Sequence, residues 1–173
     1  VRDVRVQGAY SNGFDLGSVG RIDYCEAFGA GSGDVATGDG FNTHDYGRFS
    51  AANCWGHDNY DDGESEHENC DTSWHASVME FNGGAGFIPS YGAHTVATQC
   101  LTRGNCTRGV KIGGFYCAAD PINEDQGDTT TLDCFGCIAY DEPNGFVDLH
   151  ASDASSLTAH ACVAINSTEY GFR

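Results

Sequence analysis

Apolar and polar positions alternate along this chain in short strings, and the strings are bounded by Gly, Asn and Asp. Alternation with a period of two is typical of β-strands that bury one face, whereas the three-and-four spacing of an amphipathic helix is nearly absent. The 24 glycines are spread along the whole chain and are not concentrated in a linker. The pattern therefore predicts an all-β protein.

A short motif with a central glycine recurs along the chain, for example as NGF, DGF and AGF. Its seven glycines are Gly13, Gly40, Gly63, Gly86, Gly109, Gly145 and Gly171. The steps between them are 27, 23, 23, 23, 36 and 26 residues. Because three consecutive steps are equal, the motif predicts a right-handed parallel β-helix of about seven coils, with 23–27 residues per coil, in a single domain over residues 1–173. The long step predicts a polar loop over residues 118–131, inserted from one coil.

The residue after each motif glycine is predicted to point into the core and to stack on its counterparts in neighbouring coils. These residues are Phe14, Phe41, Glu64, Phe87, Val110, Phe146 and Phe172. Glu64 occupies a position that is apolar in the other six coils, so it is either desolvated, with a raised pKa suited to a general acid, or turned outward. Asn59, Asn82 and Asn105 recur four residues before a glycine and predict a ladder of side-chain amides.

The chain carries 25 acidic and 8 basic side chains, which gives a formal charge of −17. This balance argues against nucleic acid and anionic membranes as partners, because both bind through clustered Lys and Arg. No apolar run approaches the roughly 20 residues of a membrane helix, so membrane insertion is not expected. A neutral substrate suits the charge, whereas a polyanion would need a bridging cation. Because the sequence starts at Val1, we expect it to be an excerpt of a longer chain.

The nine cysteines lack the paired CxxC spacing of a zinc ribbon, and only Cys134 and Cys137 form a CxxC. Most of them follow alternating small or apolar residues, as in RIDYC, HTVATQC and LTAHAC, which is typical of small inward-facing side chains. We therefore predict mostly free thiols and assembly in a reducing cytosol.

The stretch GHDNYDDGESEHENC, residues 56–70, concentrates acidic side chains and histidines. If coils 23 residues apart stack at about 4.8 Å, the strand spacing of a sheet, this stretch forms ladders with the preceding coil. The predicted pairs are Asp39 with Asp62, His44 with His67, and Asp45 with Glu68.

Three interpretations of these ladders are open. Carboxylates about 5 Å apart match the pair used by retaining glycosidases. Asp58, Asp61 and Asp62 form an alternative calcium site, since Ca²⁺ prefers carboxylate oxygens, and no other cofactor is predicted. The third interpretation is a solvated acidic face.

Two tryptophans and two histidines of the same coils are candidates for binding a sugar, because aromatic faces stack on saccharide rings. They are Trp55, Trp74, His57 and His75. Zinc is a poorer match, because the histidines have no helical frame and no clear ligand spacing.

Two segments, DGFNTHD (39–45) and NCWGHDNYDDGESEH (53–67), resemble the catalytic coils of alginate (mannuronan) C-5 epimerases, which are right-handed parallel β-helix enzymes. The matching positions are Gly40, Phe41, His44, His57, Asp58, Asn59, Asp62 and Gly63. The resemblance implies that His44 takes part in proton exchange at C5 of a uronate. The family's catalytic tyrosine is Asp39 here, and abstraction at C5 needs both an acid and a base.

The predicted fold also resembles the shafts of bacteriophage tailspikes. That resemblance implies a homotrimer, assembled in the host cytoplasm and carried on the virion, that binds a bacterial surface polysaccharide, with degradation of the polymer as an open alternative. For hydrolysis the candidate catalytic residues are Glu64 as acid, Asp39 or Asp62 as its partner, and His44 and His67 as positioning groups. The alternatives are a secreted uronan epimerase or lyase centred on His44, and a structural or adhesive β-solenoid.

Overall fold

A computed structural model describes residues 1–31, 38–109, 113–118, 129–148 and 155–173. These residues form 20 β-strands and no helix, which confirms the all-β prediction. The strands follow one another around a solenoid in the order sheet 1, sheet 2, sheet 3. Each strand pairs in parallel with the equivalent strands of the neighbouring coils.

The three sheets run along the solenoid axis. Sheet 1 contains β1 (Arg5–Gln7), β4 (Glu26–Phe28), β7 (Trp55–His57), β10 (Val78–Glu80), β13 (Leu101–Arg103), β16 (Ile138–Tyr140) and β19 (Val163–Ile165). Sheet 2 contains β2 (Phe14–Leu16), β5 (Phe41–Thr43), β8 (Glu64–Glu66), β11 (Phe87–Pro89), β14 (Phe115–Cys117), β17 (Asn144–Asp148) and β20 (Tyr170–Phe172). Sheet 3 contains β3 (Val19–Asp23), β6 (Arg48–Ala52), β9 (Asp71–His75), β12 (His94–Thr98), β15 (Thr130–Phe135) and β18 (Ser155–His160). Over the described residues the solenoid therefore makes about six turns, slightly fewer than the seven predicted, because sheet 3 has six strands.

A single left-handed residue turns the chain from each strand of sheet 3 into the next strand of sheet 1. Its φ lies between 47° and 62° in all six coils. This conformation costs roughly 1–2 kcal/mol for a residue with a Cβ, so the stacked coils must hold it in place. In the first five coils the backbone N–H of this residue donates to a carbonyl of the following coil at 2.8–3.0 Å. The six residues are Tyr24, Asn53, Ala76, Gln99, Gly136 and Ala161.

The core is built on a column of aromatic rings from sheet 2. Rings that stack directly have centroids 4.8–5.3 Å apart and planes within 10° of parallel. The rings belong to Phe14, Phe41, Phe87, Phe115, Phe146 and Phe172. Offset stacking of this kind adds to the free energy gained by burying each ring, so the predicted stack of phenylalanines is a main stabilising feature.

Glu64 interrupts the column between Phe41 and Phe87. Trp74 from sheet 3 packs edge-on against both flanking rings, with centroid distances of 5.4 and 5.8 Å. The indole therefore replaces part of the ring contact that the glutamate removes.

The fifth member of the column is Phe115, so the assignment of this position to Val110 is wrong. Phe115 pairs with Phe87 on one side and with Phe146 on the other, at steps of 28 and 31 residues. Two coils share the extra residues that the motif spacing assigned to one. Val110 lies outside the described residues, as does 119–128 of the predicted loop, and β15 begins at Thr130.

The amide ladder predicted from the asparagine spacing is confirmed in the turn from sheet 1 to sheet 2. Nδ2 of Asn59 donates to Oδ1 of Asn82 at 3.0 Å, and Nδ2 of Asn82 donates to Oδ1 of Asn105 at 2.9 Å. Each of these oxygens also accepts the backbone N–H of the preceding asparagine at 3.1 Å. The ladder ends on Glu142, which accepts the side-chain and backbone N–H groups of Asn105 at 2.7 and 3.0 Å. Burial, partly offset by these hydrogen bonds, raises the pKa of Glu142 to about 7.

Five cysteines form a second ladder, in the turn from sheet 3 to sheet 1. Each thiol lies 3.4–3.6 Å from the carbonyl oxygen two residues earlier. Ser77 takes the same place in the third coil, and its hydroxyl donates to the carbonyl of His75 at 3.1 Å. The ladder consists of Cys25, Cys54, Ser77, Cys100, Cys137 and Cys162. All nine cysteines are free and eight are buried, which agrees with the prediction of inward-facing thiols.

Candidate functional site

The acidic stretch 56–70 does not form one surface. It runs from β7 around a turn, through β8 and into the next turn. Its side chains therefore divide among the outer face of sheet 1, the two turns that flank sheet 2, and the interior of the coil.

An exposed cluster of ionisable and aromatic side chains lies where sheet 2 turns into sheet 3. We call it the His44 ridge, and it consists of Asp15, His44, Asp45, Tyr46, His67, Glu68 and Tyr91. Nε2 of His44 lies 2.6 Å from Oδ1 of Asp15, and Nδ1 lies 2.8 Å from Oδ2 of Asp45. Partial burial lowers the pKa of His44, but the two hydrogen-bonded carboxylates outweigh it and raise the pKa above its ordinary value of 6.5. The arrangement suits an imidazolium that donates to both carboxylates.

His67 continues the ridge in the next coil. Its register over His44 is confirmed, because Thr43 pairs with Glu66 and the N–H of His67 donates to the carbonyl of Thr43 at 2.9 Å. Nδ1 of His67 lies 2.8 Å from Oγ of Ser90, and Nε2 lies 2.9 Å from Oγ of Ser65. Contacts at both nitrogens fix the orientation of the ring.

Carboxylates and tyrosines complete the outer edge of the ridge. The backbone N–H of Asp45 donates to Oε2 of Glu68 at 3.1 Å, which confirms the predicted pairing of these residues. One ligand atom from each of His44, Asp45 and Glu68 lies within 4.8 Å of the others, so the three could hold a cation. Tyr46 and Tyr91 are 69% and 43% exposed, and the ring of Tyr91 lies 5.6 Å from that of His67.

Asp39 and Asp62 lie at the opposite end of sheet 2 and serve the backbone. Oδ1 of Asp39 accepts the N–H of Asp62 at 3.0 Å, and Oδ1 of Asp62 accepts the N–H of Ala85 at 2.6 Å. Oδ2 of Asp39 also accepts from Nδ2 of Asn42 at 3.0 Å. The register of these two aspartates is confirmed. Both are buried and tie successive turns together.

The aspartates that could bind calcium differ from the predicted set. Ligand oxygens of Asp39, Asp61 and Asp62 lie within 4.8 Å of one another. Asp58 is turned instead toward His57, with its Oδ2 2.7 Å from Nδ1 of the imidazole. Asp58 was included in the predicted calcium site because the spacing of residues does not reveal the direction of a side chain in a turn.

Glu64 and Glu66 lie inside the coil, so the inward alternative for Glu64 is the one observed. Neither oxygen of Glu64 makes a hydrogen bond of normal geometry with a described residue. Burial and then the charge of Glu66 raise the pKa of Glu64 well above its usual range. Glu66 accepts hydrogen bonds from the side chains of Thr72, Trp74 and Thr95, and burial raises its pKa to about 7. A fully buried Glu64 offers no surface to a polymer.

The four predicted sugar-binding residues do not line one groove. Trp74 is 1% exposed and packs in the core. Trp55 lies on the outer face of sheet 1, where its ring stacks on His57 with centroids 4.0 Å apart. His75 is exposed at the end of a strand of sheet 3.

Of the predicted catalytic residues, His44 and His67 share an exposed surface. Asp39 precedes β5 and His44 follows it, which separates them by roughly 16 Å along the strand. Sequence reasoning missed Asp15, because the step between the first two coils is 27 residues and not 23. It also gave no role to Tyr46, two residues after His44, or to Tyr91, which follows Ser90 in the coil after His67.

The described residues include no helix that is long and apolar enough to cross a membrane. Comparison with protein-family models, with curated proteins and with solved structures found no match to this chain.

Proposed function

We propose that this β-solenoid binds a polysaccharide along the His44 ridge. The observation that carries the proposal is an imidazole fixed between Asp15 and Asp45, on a surface that also exposes Tyr46 and, beside His67, Tyr91. Carbohydrate sites combine a few convergent polar groups, which bind hydroxyls, with aromatic faces, which pack on sugar rings. The ridge supplies both kinds of group on one surface.

The ridge repeats along the solenoid axis, which favours an extended ligand. Equivalent positions recur about every 4.8 Å, and three coils contribute His44, His67 and Ser90 in register. A polymer that lies along the axis would meet polar groups at each coil. A compact molecule would contact the polar groups of only one coil.

The charge of the ridge restricts the class of polymer. Asp15, Asp45 and Glu68 make its edge acidic, and the whole chain carries −17. A neutral or amine-bearing polysaccharide fits this surface without a cofactor. An acidic polymer would need a cation such as Ca²⁺, which His44, Asp45 and Glu68 could hold.

Binding without turnover fits the described residues better than hydrolysis. Glu64 is buried, and Asp39 and Asp62 bind backbone N–H groups at the far end of sheet 2. Hydrolysis at the ridge would have to use the exposed carboxylates beside His44. The setting on a phage tailspike is what the resemblance of the β-solenoid to tailspike shafts implies.

A uronan epimerase or lyase is the second candidate, and the tendency of His44 to hold a proton favours it. The raised pKa of His44 suits the acid that such a reaction needs. Asp39 stands at the position of the family's tyrosine and is buried away from the ridge, so Tyr46 or Tyr91 would have to take the tyrosine's role there.

The proposal is tested by affinity electrophoresis on neutral, amine-bearing and uronate polysaccharides, with Ca²⁺ or with a chelator. His44→Ala is compared with His75→Ala, which removes an exposed histidine from sheet 3. We expect wild type and His75→Ala to bind one class of polysaccharide with equal affinity. His44→Ala should bind that class at least about tenfold more weakly. Reducing ends and unsaturated uronate are measured in the same mixtures. Undiminished binding by His44→Ala would remove the ridge from the proposal, and unsaturated uronate would favour the second candidate.

A further inference from the structure

The outer face of sheet 1 exposes a run of aliphatic side chains. Val78, Leu101, Ile138 and Val163 occupy the same outward position in four consecutive coils, directly in register. Ile138 and Val163 are 41% and 48% exposed. Trp55 precedes them in the same column and is 41% exposed. An exposed sheet face normally carries polar residues, and a continuous apolar patch marks an interaction surface.

The charges on this face balance one another. Nε of Arg5 lies 3.0 Å from Oε2 of Glu26, and Nη1 of Arg103 lies 3.8 Å from Oε2 of Glu80. The whole chain carries −17, so the close approach of two copies is opposed over most of the surface. On the outer face of sheet 1, two copies can meet without bringing unpaired carboxylates together.

We propose that the outer face of sheet 1 pairs with the same face of a second copy of this chain. A two-fold axis brings the same patch to both sides of an interface, so the aliphatic column of one copy would pack on that of the other. Aliphatic side chains fill four consecutive positions of the column, and Nε1 of Trp55 donates to Oε1 of Glu80 at 3.0 Å. These features suit a dry protein contact and not a sugar, which needs free polar groups and aromatic faces.

The size of the face sets the strength of the pairing. Seven strands at about 4.8 Å and three to four residues of width give a flat area of roughly 400 Å² on each copy. This lies at the small end of specific interfaces, so the dimer is weak and depends on concentration. The His44 ridge lies at another corner of the coil, and the dimer does not depend on the function proposed for it.

Sedimentation velocity of the whole chain, from about 5 µM to about 500 µM, tests the pairing. Ile138→Asp places a carboxylate in the aliphatic column. Val19→Asp is its matched control, because Val19 is a 79% exposed aliphatic residue on sheet 3 and the change adds the same charge. Circular dichroism and thermal melting establish that both variants fold, and Ile138→Ser repeats the test without a new charge.

We expect wild type and Val19→Asp to dimerise at the upper concentrations. The dimer of Ile138→Asp should be at least about tenfold weaker. Raising NaCl from about 0.1 M to about 1 M should strengthen the dimer, since salt screens the repulsion between copies. A wild type that stays monomeric, a folded Ile138→Asp that pairs as wild type does, or a dimer that salt abolishes would each overturn the proposal. A trimer would overturn it as well, because the face would then meet a different surface.

Discussion

Glu64 and Glu66 lie two residues apart on β8, and both side chains point into the coil, but their partners differ: Glu64 interacts with Glu66, whereas Glu66 also accepts from Trp74 and Thr95. Residues i and i+2 of a strand share a face, so the same geometry buries both carboxyl groups. Glu64 stands in the phenylalanine column, whereas Glu66 faces the hydroxyls of Thr72 and Thr95 and the indole of Trp74. We therefore expect replacement of the two glutamates to change stability in opposite directions.

Replacing Glu64 with leucine should stabilise the protein. Glu64→Leu removes a desolvated carboxyl group and supplies apolar contact to Phe41 and Phe87, so we expect the free energy of unfolding at pH 7 to rise by about 1–4 kcal/mol. Glu66→Gln should lower it by about 1–3 kcal/mol, since an amide presents a donor to groups that are themselves donors. Urea unfolding at pH 7 measures the free energy of unfolding of both variants and of wild type. A loss of stability in Glu64→Leu would mean that the carboxyl group has a stabilising partner.

Glu142 should make the protein more stable in mild acid than at neutral pH. Its pKa is about 7 in the folded chain and near 4.5 when exposed, so the folded state holds the proton more tightly. The stabilisation is complete below pH 4.5 and is lost as the pH rises through 7, about 3 kcal/mol in all. Urea unfolding from pH 4.5 to pH 8 should give a shallower dependence in Glu142→Gln than in wild type. Equal slopes in the two proteins would contradict this prediction.

The amide ladder should be sensitive to a single deletion at its centre. Asn82 accepts two hydrogen bonds from Asn59 and donates to Asn105 and to the carbonyl of Gly56. Asn82→Ala leaves several buried groups without partners, so we expect a loss of about 2–4 kcal/mol in the free energy of unfolding. Gln7→Ala, which removes an exposed amide from β1, is the control and should change it by less than about 0.5 kcal/mol. Similar losses in the two variants would show that the ladder adds little.

The position of Ser77 in the cysteine ladder predicts how that turn tolerates change. The hydroxyl of Ser77 accepts the N–H of Cys54 and donates to the carbonyl of His75, both at 3.1 Å. Ser77→Ala should cost about 1–3 kcal/mol in the free energy of unfolding, because both backbone groups lose a buried partner. Ser77→Cys introduces the side chain found in the other five coils and should cost less. Thermal melting compares the stability of the two variants. An equal loss of stability in both would contradict a hydrogen-bonding role for the hydroxyl of Ser77.

The sequence alone determined the class of fold and the register of its central coils. The equal steps of 23 residues placed Asp39 over Asp62, His44 over His67 and Asn59 over Asn82, because residues one period apart stack in a solenoid. The register failed where the period changed. Val110 was placed in the phenylalanine column instead of Phe115, since extra residues in two neighbouring coils look like one long insertion in the spacing of the glycines.

Only the tertiary structure decided which side of the coil each turn residue faces. Spacing fixes the height of a residue along the axis, but its direction depends on left-handed turn residues such as Asn53 and Asp58, which an L-residue adopts only in a folded context. Glu64 therefore lies inside, and Asp39 lies far from His44. The apolar face of sheet 1 likewise exists only in the folded chain, because its strands are separated in sequence by two other sheets.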